Sequence, residues 1–357
     1  MSVMCVWRQL PTLAIFGMLA VANASAMMQA EADKAASLTA RFSSPGPFVV
    51  DVLDMVWRDQ PRARDIPARV LSPRPATTVA KPAPDDRYPV IIFSHGLGGS
   101  REGGLLWGRH WASHGYIVVH LQHAGSDESI WKGKRPVEGV SNMQRAMNLD
   151  NSRLRIGDVK FALDEMVRLR AAGVAPFVNA DLTRVGMSGH SFGAQTTLAV
   201  AGQQLPFLEA DAPGAAGSRD ARIKAAIAFS PNARVKTGLD AQFGGMALPF
   251  FSITGTRDGS ILDDHTRYED RLVPYEKMPP GDKYLASFLD GDHMVFGGQP
   301  LGGRRPETAR DRNIQAGVKA ATLAFWNATL KQDAAAKTWL QQDFKPTLIA
   351  GDTFFYK

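Results

Sequence analysis

Cysteine is nearly absent from this sequence: its 357 residues include a single one, Cys5, close to the N-terminus. An intrachain disulfide bond is therefore excluded, and a folded protein of this length must rely on its apolar core. The hydrophobic fraction of 45% is ample for such a core and excludes a mainly disordered chain. Internal repeats are also missing, which argues against a repeat architecture.

Long basic clusters are missing as well, although the formal net charge is +6. The basic groupings, such as Lys132 to Arg135 and Arg304 with Arg305, are short, and no nucleic-acid-binding motif accompanies them. They are typical of a solvated surface. The sequence therefore predicts no nucleic-acid partner.

Long apolar runs are confined to the N-terminus, where one extends from Leu10 to Ala22. Arg8 precedes this run and Ala24-Ser25-Ala26 follows it, which is the layout of a secretory signal with an A-x-A cleavage site. The run is short for a membrane span, so an uncleaved anchor is the alternative. We expect a signal peptide over residues 1–26, export to the periplasm or medium, and no integral membrane association after cleavage.

The rest of the chain alternates between strand-like and helix-like segments. We expect residues 27–45 to be a leader with little structure and residues 46–357 to be one catalytic domain. Its predicted strands lie near Val49–Trp57, Pro67–Leu71, Val90–Phe93, Tyr116–Leu121, Leu182–Met187, Ile223–Ala228, Pro249–Ile253 and Tyr284–Leu289. Helices are predicted between them and over Asp311–Leu330. This order predicts an α/β fold with a mostly parallel, doubly wound sheet, and the first four strands read as parallel.

One short stretch after a predicted strand contains a serine among glycines. Gly189-His190-Ser191-Phe192-Gly193 fits the G-x-S-x-G nucleophile elbow, a tight strand-to-helix turn that exposes a serine hydroxyl. The glycines allow close approach of backbones at such a turn. An incidental serine in a glycine-rich turn is the alternative unless a base and an acid follow in order.

Only two histidines, His265 and His293, follow Ser191 in the chain. His293 comes directly after a predicted strand, where a loop at the carboxyl edge of the sheet would bring it to the serine. His265 lies in a charged stretch typical of a solvated helix start. His293 is therefore the predicted base.

The orienting acid should lie between the serine and the histidine in the chain. Asp258 follows the predicted strand Pro249–Ile253 and is the best candidate, although Asp-Gly is also a common turn. The other acids near this position or near the base are Asp263, Asp264, Asp290 and Asp292.

A second glycine-rich loop, Ser94-His95-Gly96-Leu97-Gly98-Gly99-Ser100, follows the strand Val90–Phe93. It is similar to the HG-type loop of esterases, which supplies one oxyanion donor, and we assign that donor to the N–H of Leu97. The N–H of Phe192 would be the second donor. The loop contains neither G-x-G-x-x-G nor a Walker lysine, so we predict no nucleotide cofactor.

Two histidine pairs raise the alternative of a metal site. His120 and His123 are three residues apart at a strand end, and His110 and His114 are one helical turn apart. Trp111 stands where H-E-x-x-H needs its glutamate, and strand spacing would send the other pair to opposite faces. We therefore predict no metal and no cofactor.

Taken together, these motifs resemble an α/β-hydrolase of the platelet-activating-factor acetylhydrolase and dienelactone-hydrolase-like group. The resemblance is carried by "SHGLGGSREGG", "RVGMSGHSFGA", "ITGTRDG" and "GDHMVF". It implies metal-free, serine-dependent cleavage of carboxylic esters. One departure is that these acetylhydrolases place their acid after the strand following the elbow, where this chain has "FSPNA", Phe229 to Ala233.

The sequence thus predicts a serine carboxylic ester hydrolase that forms an acyl-enzyme on Ser191 with Asp258 and His293. The substrate would be a small-molecule or lipid ester. A phospholipase A2-like enzyme and a polyester hydrolase are the nearest alternatives, and a catalytically idle binding protein is the alternative of another class. Segments 124–151 and 232–248 are the candidates for shaping its pocket. The sequence specifies neither the acyl chain nor the oligomeric state.

Overall fold

Alternating apolar residues in the central strands cover both faces of one nine-stranded sheet. In the strand Tyr88–Ser94, Val90 and Ile92 belong to the core on one face, whereas Ile91 and Phe93 belong to the core on the other. Successive side chains of a strand point to opposite faces, so a continuous apolar run predicts a strand that is buried on both.

The computed structural model describes residues 33, 36–75, 87–205, 217–260, 266–298 and 305–357. The strands are β1 Phe48–Asp59, β2 Arg64–Pro75, β3 Tyr88–Ser94, β4 Ile117–Leu121, β5 Ala180–His190, β6 Ile223–Phe229, β7 Phe250–Arg257, β8 Lys283–Asp292 and β9 Thr353–Tyr356. They are ordered β1-β2-β4-β3-β5-β6-β7-β8-β9.

Helices cover both faces of this sheet. They are α1 over residues 36–43, α2 Leu105–Ser113, α3 Pro136–Ala146, α4 Leu149–Ala171, α5 Phe192–Ala201, α6 Leu239–Phe243, α7 Tyr268–Lys277, α8 His293–Phe296, α9 Ala309–Leu330 and α10 Ala334–Thr338. Residues of α2 and α9 form one core with the sheet, and residues of α4 and α5 form the other. The α/β, doubly wound architecture is therefore confirmed.

The prediction of parallel pairing is correct for β3 to β8 and wrong at the first strands. β1 pairs antiparallel with β2, and β2 pairs antiparallel with β4. Only residues 60–63 connect β1 to β2. A parallel pair needs a crossover of a dozen residues or more, so such a short connection can only form a hairpin.

The prediction of little structure in residues 27–45 is wrong for residues 36–43, which form α1. Phe42 of this helix is fully buried, and its ring contacts Trp339 with 4.9 Å between centroids. The carbonyl of Phe42 accepts a hydrogen bond of 2.8 Å from His110 Nε2. The predicted signal peptide, residues 1–26, lies outside the described residues. Among the described helices, none is long and apolar enough to cross a membrane.

Buried histidines are a feature of this core. Burial lowers the pKa of His120 and His123 to about 4 and the pKa of His110 and His190 to about 3. Each of these rings is hydrogen bonded; His120 Nδ1, for example, donates to the carbonyl of Gly103 at 3.0 Å. These side chains are therefore neutral in the folded protein near pH 7.

We expect the free energy of unfolding to fall as the pH decreases from about 6.5, the ordinary histidine pKa, toward about 4. In this range the unfolded chain binds protons that the folded chain does not. Each such histidine removes on the order of 1 to 2 kcal/mol at about pH 5. Urea unfolding at a series of pH values measures this slope, and His120→Asn should flatten it. An unfolding midpoint that is constant between about pH 7 and 5 would contradict the expectation.

Candidate active site

Because β3 to β8 are parallel, their carboxyl ends meet at one edge of the sheet. Ser191 follows β5, Asp258 follows β7, and His293 follows β8. The loop of residues 94–100, here called the oxyanion loop, begins at the last residue of β3. All the residues assigned to the site from sequence therefore lie at this edge.

Ser191 occupies a backbone conformation that non-glycine residues rarely adopt, with φ 56° and ψ −113°. The flanking glycines explain how this turn fits. A Cβ on Gly193 would lie 1.9 Å from the Ser94 carbonyl oxygen, and one on Gly189 would lie 2.3 Å from the Gly193 carbonyl oxygen. The elbow can therefore form only if both positions lack a side chain.

The same close packing brings the oxyanion loop to the serine. A Cβ on Gly96 would lie 3.5 Å from Ser191 Cβ, so the loop backbone contacts the elbow directly. Leu97 is the next residue of that loop. Phe192 is the first residue of α5, and the first N–H groups of a helix have no partner within it. Phe192 thus follows Ser191 directly in the chain, and Leu97 follows Gly96, the loop residue that packs against Ser191.

Asp258 and His293 are in direct contact. His293 Nδ1 lies 2.6 Å from Asp258 Oδ1, and both side chains are buried. Thr254 Oγ1 donates to the other carboxylate oxygen at 2.8 Å. With Nδ1–H donated to Asp258, the Nε2 atom of His293 is the one that can accept a proton.

A buried arginine keeps this carboxylate charged. Burial alone would raise the pKa of Asp258, but the Arg271 guanidinium, together with His293, lowers the pKa below its ordinary value. Arg271 Nη2 lies 3.4 Å from Asp258 Oδ1. Asp258 is therefore ionised at neutral pH and can stabilise a protonated His293.

Arg271 also connects the loops that carry the site. This residue of α7 donates to the carbonyl of Asp258 at 3.0 Å and to the carbonyl of Ser230 at 2.8 Å. Those two carbonyls follow β7 and β6, respectively. Arg271 could not be predicted from the sequence, because an arginine in a charged stretch is typical of a solvated surface.

His190 is a second residue that the sequence analysis missed. It precedes the serine, is buried, and packs against His293 with 4.6 Å between ring centroids. Its Nε2 donates to the His293 carbonyl at 2.8 Å. Burial, with a smaller effect of His293, lowers its pKa to about 3, so a neutral ring holds the His293 backbone beside the elbow. Its place inside G-x-S-x-G was the available signal.

The other acids considered for the triad lie elsewhere or are not described. Asp292 caps α8 and pairs with Arg305 at 3.0 Å, and Asp290 is exposed. The alternative base His265 lies outside the described residues, as do Asp263 and Asp264. In the described part of the site, Asp258 is the carboxylate that contacts His293.

A comparison with protein-family models matches residues 71–172 to the family described as "Platelet-activating factor acetylhydrolase, isoform II". The chain has an α/β architecture consistent with the hydrolase fold, and over the matched residues it is similar to the platelet-activating-factor acetylhydrolases. The match supports an enzyme that hydrolyses ester bonds. It includes the oxyanion loop and ends before the elbow. A search of curated proteins found no match.

The departure of this hydrolase from the acetylhydrolase pattern has a structural counterpart. After β6, where those enzymes carry their acid, lies Ser230, a buried residue with φ 55°. Its backbone N–H donates to the Ile253 carbonyl at 2.8 Å, while its own carbonyl accepts from Arg271. The position is therefore used to hold the loops after β6 and β7 together, and the carboxylate that contacts His293 belongs to Asp258.

The four histidines considered as metal ligands are used structurally in the hydrolase. His110, His114 and His120 donate to the carbonyls of Phe42, Ser44 and Gly103, respectively. His123 lies between Ser94 and Asp158. Within the described residues, no group of three or more His, Cys, Asp or Glu side chains could hold a metal ion.

A pocket of about 310 Å³ opens beside the elbow, between the start of α4, one face of α5 and the loop of residues 232–235. Its lining consists of Met147, Asn148, Leu149, Ser152, Ile156, Phe192, Gln195, Thr196, Ala199, Gln203, Leu205, Asn232, Arg234 and Val235. Both segments that could shape a pocket thus contribute to it. Phe243 and Met246, in contrast, belong to the core.

Proposed function

We propose that this protein is an exported serine hydrolase that cleaves carboxylic esters through an acyl-enzyme on Ser191. The observation that carries the proposal is the 2.6 Å contact between Asp258 and His293 at the sheet edge that also bears the strained Ser191. Strain at a non-glycine residue persists where the surrounding structure over-determines it, and such sites are often functional.

In the first half of the reaction, Ser191 Oγ attacks the ester carbonyl carbon while His293 Nε2 accepts the hydroxyl proton. The carbonyl oxygen becomes an oxyanion, to which the N–H groups of Leu97 and Phe192 donate. When the intermediate collapses, the bond to the alcohol breaks, and His293 gives its proton to the leaving oxygen. Asp258 holds the ring and stabilises its charged form.

In the second half, water attacks the acyl-enzyme carbonyl and gives a proton to His293. The same two N–H groups donate to the second oxyanion. Collapse releases the carboxylic acid, and the proton on His293 returns to Ser191 Oγ.

We expect Ser191→Ala and His293→Ala each to abolish most hydrolysis of p-nitrophenyl butyrate. The double variant should be little worse than either, since nucleophile and base act as one unit. Asp258→Asn should lower kcat by about 10⁴-fold with KM little changed, because the His293 tautomer is then wrong. Steady-state kinetics and labelling of Ser191 by a fluorophosphonate measure these effects.

Wild-type protein without Ser191-dependent turnover would contradict the proposal and favour a catalytically idle binding protein. Near-normal kcat in Asp258→Asn would move the orienting role to Asp263, Asp264, Asp290 or Asp292. Loss of labelling in His265→Ala, with normal labelling in His293→Ala, would show that His265 and not His293 is the base. The proposal of a serine hydrolase would still hold.

The pocket beside Phe192 supports an ester with a compact apolar acyl group. Its polar side chains largely bond to one another or to backbone; Gln195, for instance, donates to Asn232 at 3.1 Å. At about 310 Å³ it lies near the small end of small-molecule sites. Ala199 lies two helical turns beyond Phe192 on α5, so an acyl chain entering at Phe192 has room to extend by about 10 Å.

A phospholipase-like activity is the second candidate, and the match to the platelet-activating-factor acetylhydrolase family favours it. A polyester hydrolase would need to accept a polymer segment instead. Values of kcat/KM for a series of esters with increasing acyl length distinguish these substrate classes.

We expect Ser152→Phe, which fills the pocket from α4, to reduce kcat/KM for p-nitrophenyl octanoate by at least tenfold relative to the acetate. The acetate should be hydrolysed nearly as before, because it does not reach the filled volume. Val167→Phe, on the same helix and away from the pocket, is the matched control. Equal losses for both esters, or the same profile in both variants, would exclude the pocket as the acyl site.

We place the activity outside the cytoplasm because of the signal-like residues 1–26. N-terminal sequencing of exported material should return a chain that begins near Met27, after Ala24-Ser25-Ala26. Exported material that still begins at Met1 would overturn cleavage at this site.

A further inference from the structure

The fold contains a hydrogen-bonded serine, histidine and aspartate that are separate from the proposed catalytic residues. Ser94 Oγ lies 2.9 Å from His123 Nε2, and His123 Nδ1 lies 3.0 Å from Asp158 Oδ2. The three residues come from β3, the loop after β4 and helix α4. All three are fully buried.

Burial and backbone exclude Ser94 as a nucleophile. It is the last residue of a regular strand, and its carbonyl is covered by Gly193. Its hydroxyl is already engaged by His123, and no substrate carbonyl can reach it without opening the sheet. The role of these three residues must therefore be to hold neighbouring parts of the chain in place. The nearest such part is the oxyanion loop, which continues from Ser94.

Arg155 of α4 joins this set to the backbone of the oxyanion loop. It is fully buried; its Nη1 donates to the His95 carbonyl at 2.6 Å and lies 3.4 Å from Ser94 Oγ. Its guanidinium also lies 4.3 Å from the centroid of the Phe192 ring. One side chain thus touches both segments whose N–H groups are the proposed oxyanion donors.

The neighbouring rings fix the loop in the same way. The backbone N–H of His123 donates to His95 Nε2 at 3.1 Å, and His95 Nδ1 donates to the Gly96 carbonyl at 2.6 Å. Burial lowers the pKa of His123 to about 4 and that of His95 well below its ordinary value. Both rings are neutral, so each has one donating and one accepting nitrogen.

The negative charge of Asp158 is compensated by arginines that lie outside the oxyanion loop. Burial would raise the pKa of Asp158, but hydrogen bonds from His123 and Arg64 lower it below its ordinary value. Arg62 Nη1 and Arg64 Nε lie 3.0 and 2.7 Å from its carboxylate. An ionised Asp158 therefore accepts from His123 Nδ1 and directs His123 Nε2 toward the Ser94 hydroxyl.

We propose that Ser94, His123, Asp158 and Arg155, here called the buried cluster, position the oxyanion donors of Leu97 and Phe192 against Ser191. The proposal rests on the proposed function. A positioning role differs from a merely structural one, because loss of position weakens binding of the transition state more than binding of the substrate.

The test uses two conservative substitutions in the buried cluster, Ser94→Ala and Arg155→Lys. Ser188→Ala is the matched control. Ser188 is a buried serine of the neighbouring strand β5 and lies opposite Phe93 of β3. Among the described residues, the Ser188 hydroxyl has no hydrogen-bond partner. Four quantities are measured for each full-length variant: kcat, KM, the melting temperature, and the inhibition constant of a trifluoromethyl ketone. This inhibitor adds to the serine and leaves an oxyanion in the hole.

We expect kcat for p-nitrophenyl butyrate to fall about tenfold in both cluster variants. Loss of a whole oxyanion donor lowers kcat by about 10²- to 10³-fold, and a displaced donor should cost less. KM should stay within about twofold, and the inhibition constant should rise by the same factor as kcat falls. Ser188→Ala should change neither.

Folded cluster variants with unchanged kcat and inhibitor affinity would overturn the positioning role. A fall in kcat that follows the loss of melting temperature, with inhibitor affinity unchanged, would overturn it too, since that is the result of a structural role. Ser191→Ala is measured beside them and should lose turnover. Turnover retained there would overturn the proposed function itself, whatever the cluster variants do.

Discussion

The contact on which the rest of the site depends is the one between the start of α5 and the end of β3. Gly193 lies so close to the Ser94 carbonyl that any Cβ would reach 1.9 Å from the oxygen. This approach lets the chain turn from strand to helix within one residue, which forces Ser191 into its positive φ. It also brings Gly96 against Ser191, so the proposed nucleophile and the oxyanion loop are positioned by the same backbone contact.

Two buried arginines stabilise the loops on either side of this contact. Arg155 binds carbonyls of the oxyanion loop, and Arg271 binds carbonyls after β6 and β7. Burying a guanidinium is costly unless several acceptors and a counter-charge compensate for lost water, and both residues have carbonyls and an aspartate nearby. Such a group tolerates little displacement of its acceptors, so each arginine restricts the loops that it touches.

The residues that could be predicted from sequence are those that belong to local patterns. The elbow is a contiguous motif, and the chain order of serine, acid and base reduced eight histidines to two. Buried strands were equally visible, because β3 is continuously apolar from Pro89 to Phe93. Asp258 was identified by its place after a strand, and the structure brings it to His293.

The features that were missed depend on partners far away in the chain. Arg155 meets His95 across 60 residues, and Arg271 meets Ser230 across 41. A pattern of apolar residues indicates which face of a helix is buried, but it does not identify the acceptors that an arginine on that face will find. Helix α1 was missed for a related reason: Phe42 is buried by Trp339 near the other end of the chain.

The two serine, histidine and aspartate sets show why hydrogen-bond geometry alone does not define an active site. Both histidines use Nδ1 toward a buried aspartate, at 2.6 Å for His293 and 3.0 Å for His123. The difference lies in the serines. Ser94 lies within a strand and is fully buried, whereas Ser191 is partly accessible at a strained turn ahead of a helix N-terminus. Negative charge is stabilised at a helix N-terminus, so Ser191, in contrast to Ser94, has a preformed environment for an oxyanion. Ser94 is the first residue of the oxyanion loop, which carries one of the proposed donors. The buried serine, histidine and aspartate are therefore well placed to hold this loop for the proposed catalytic residues.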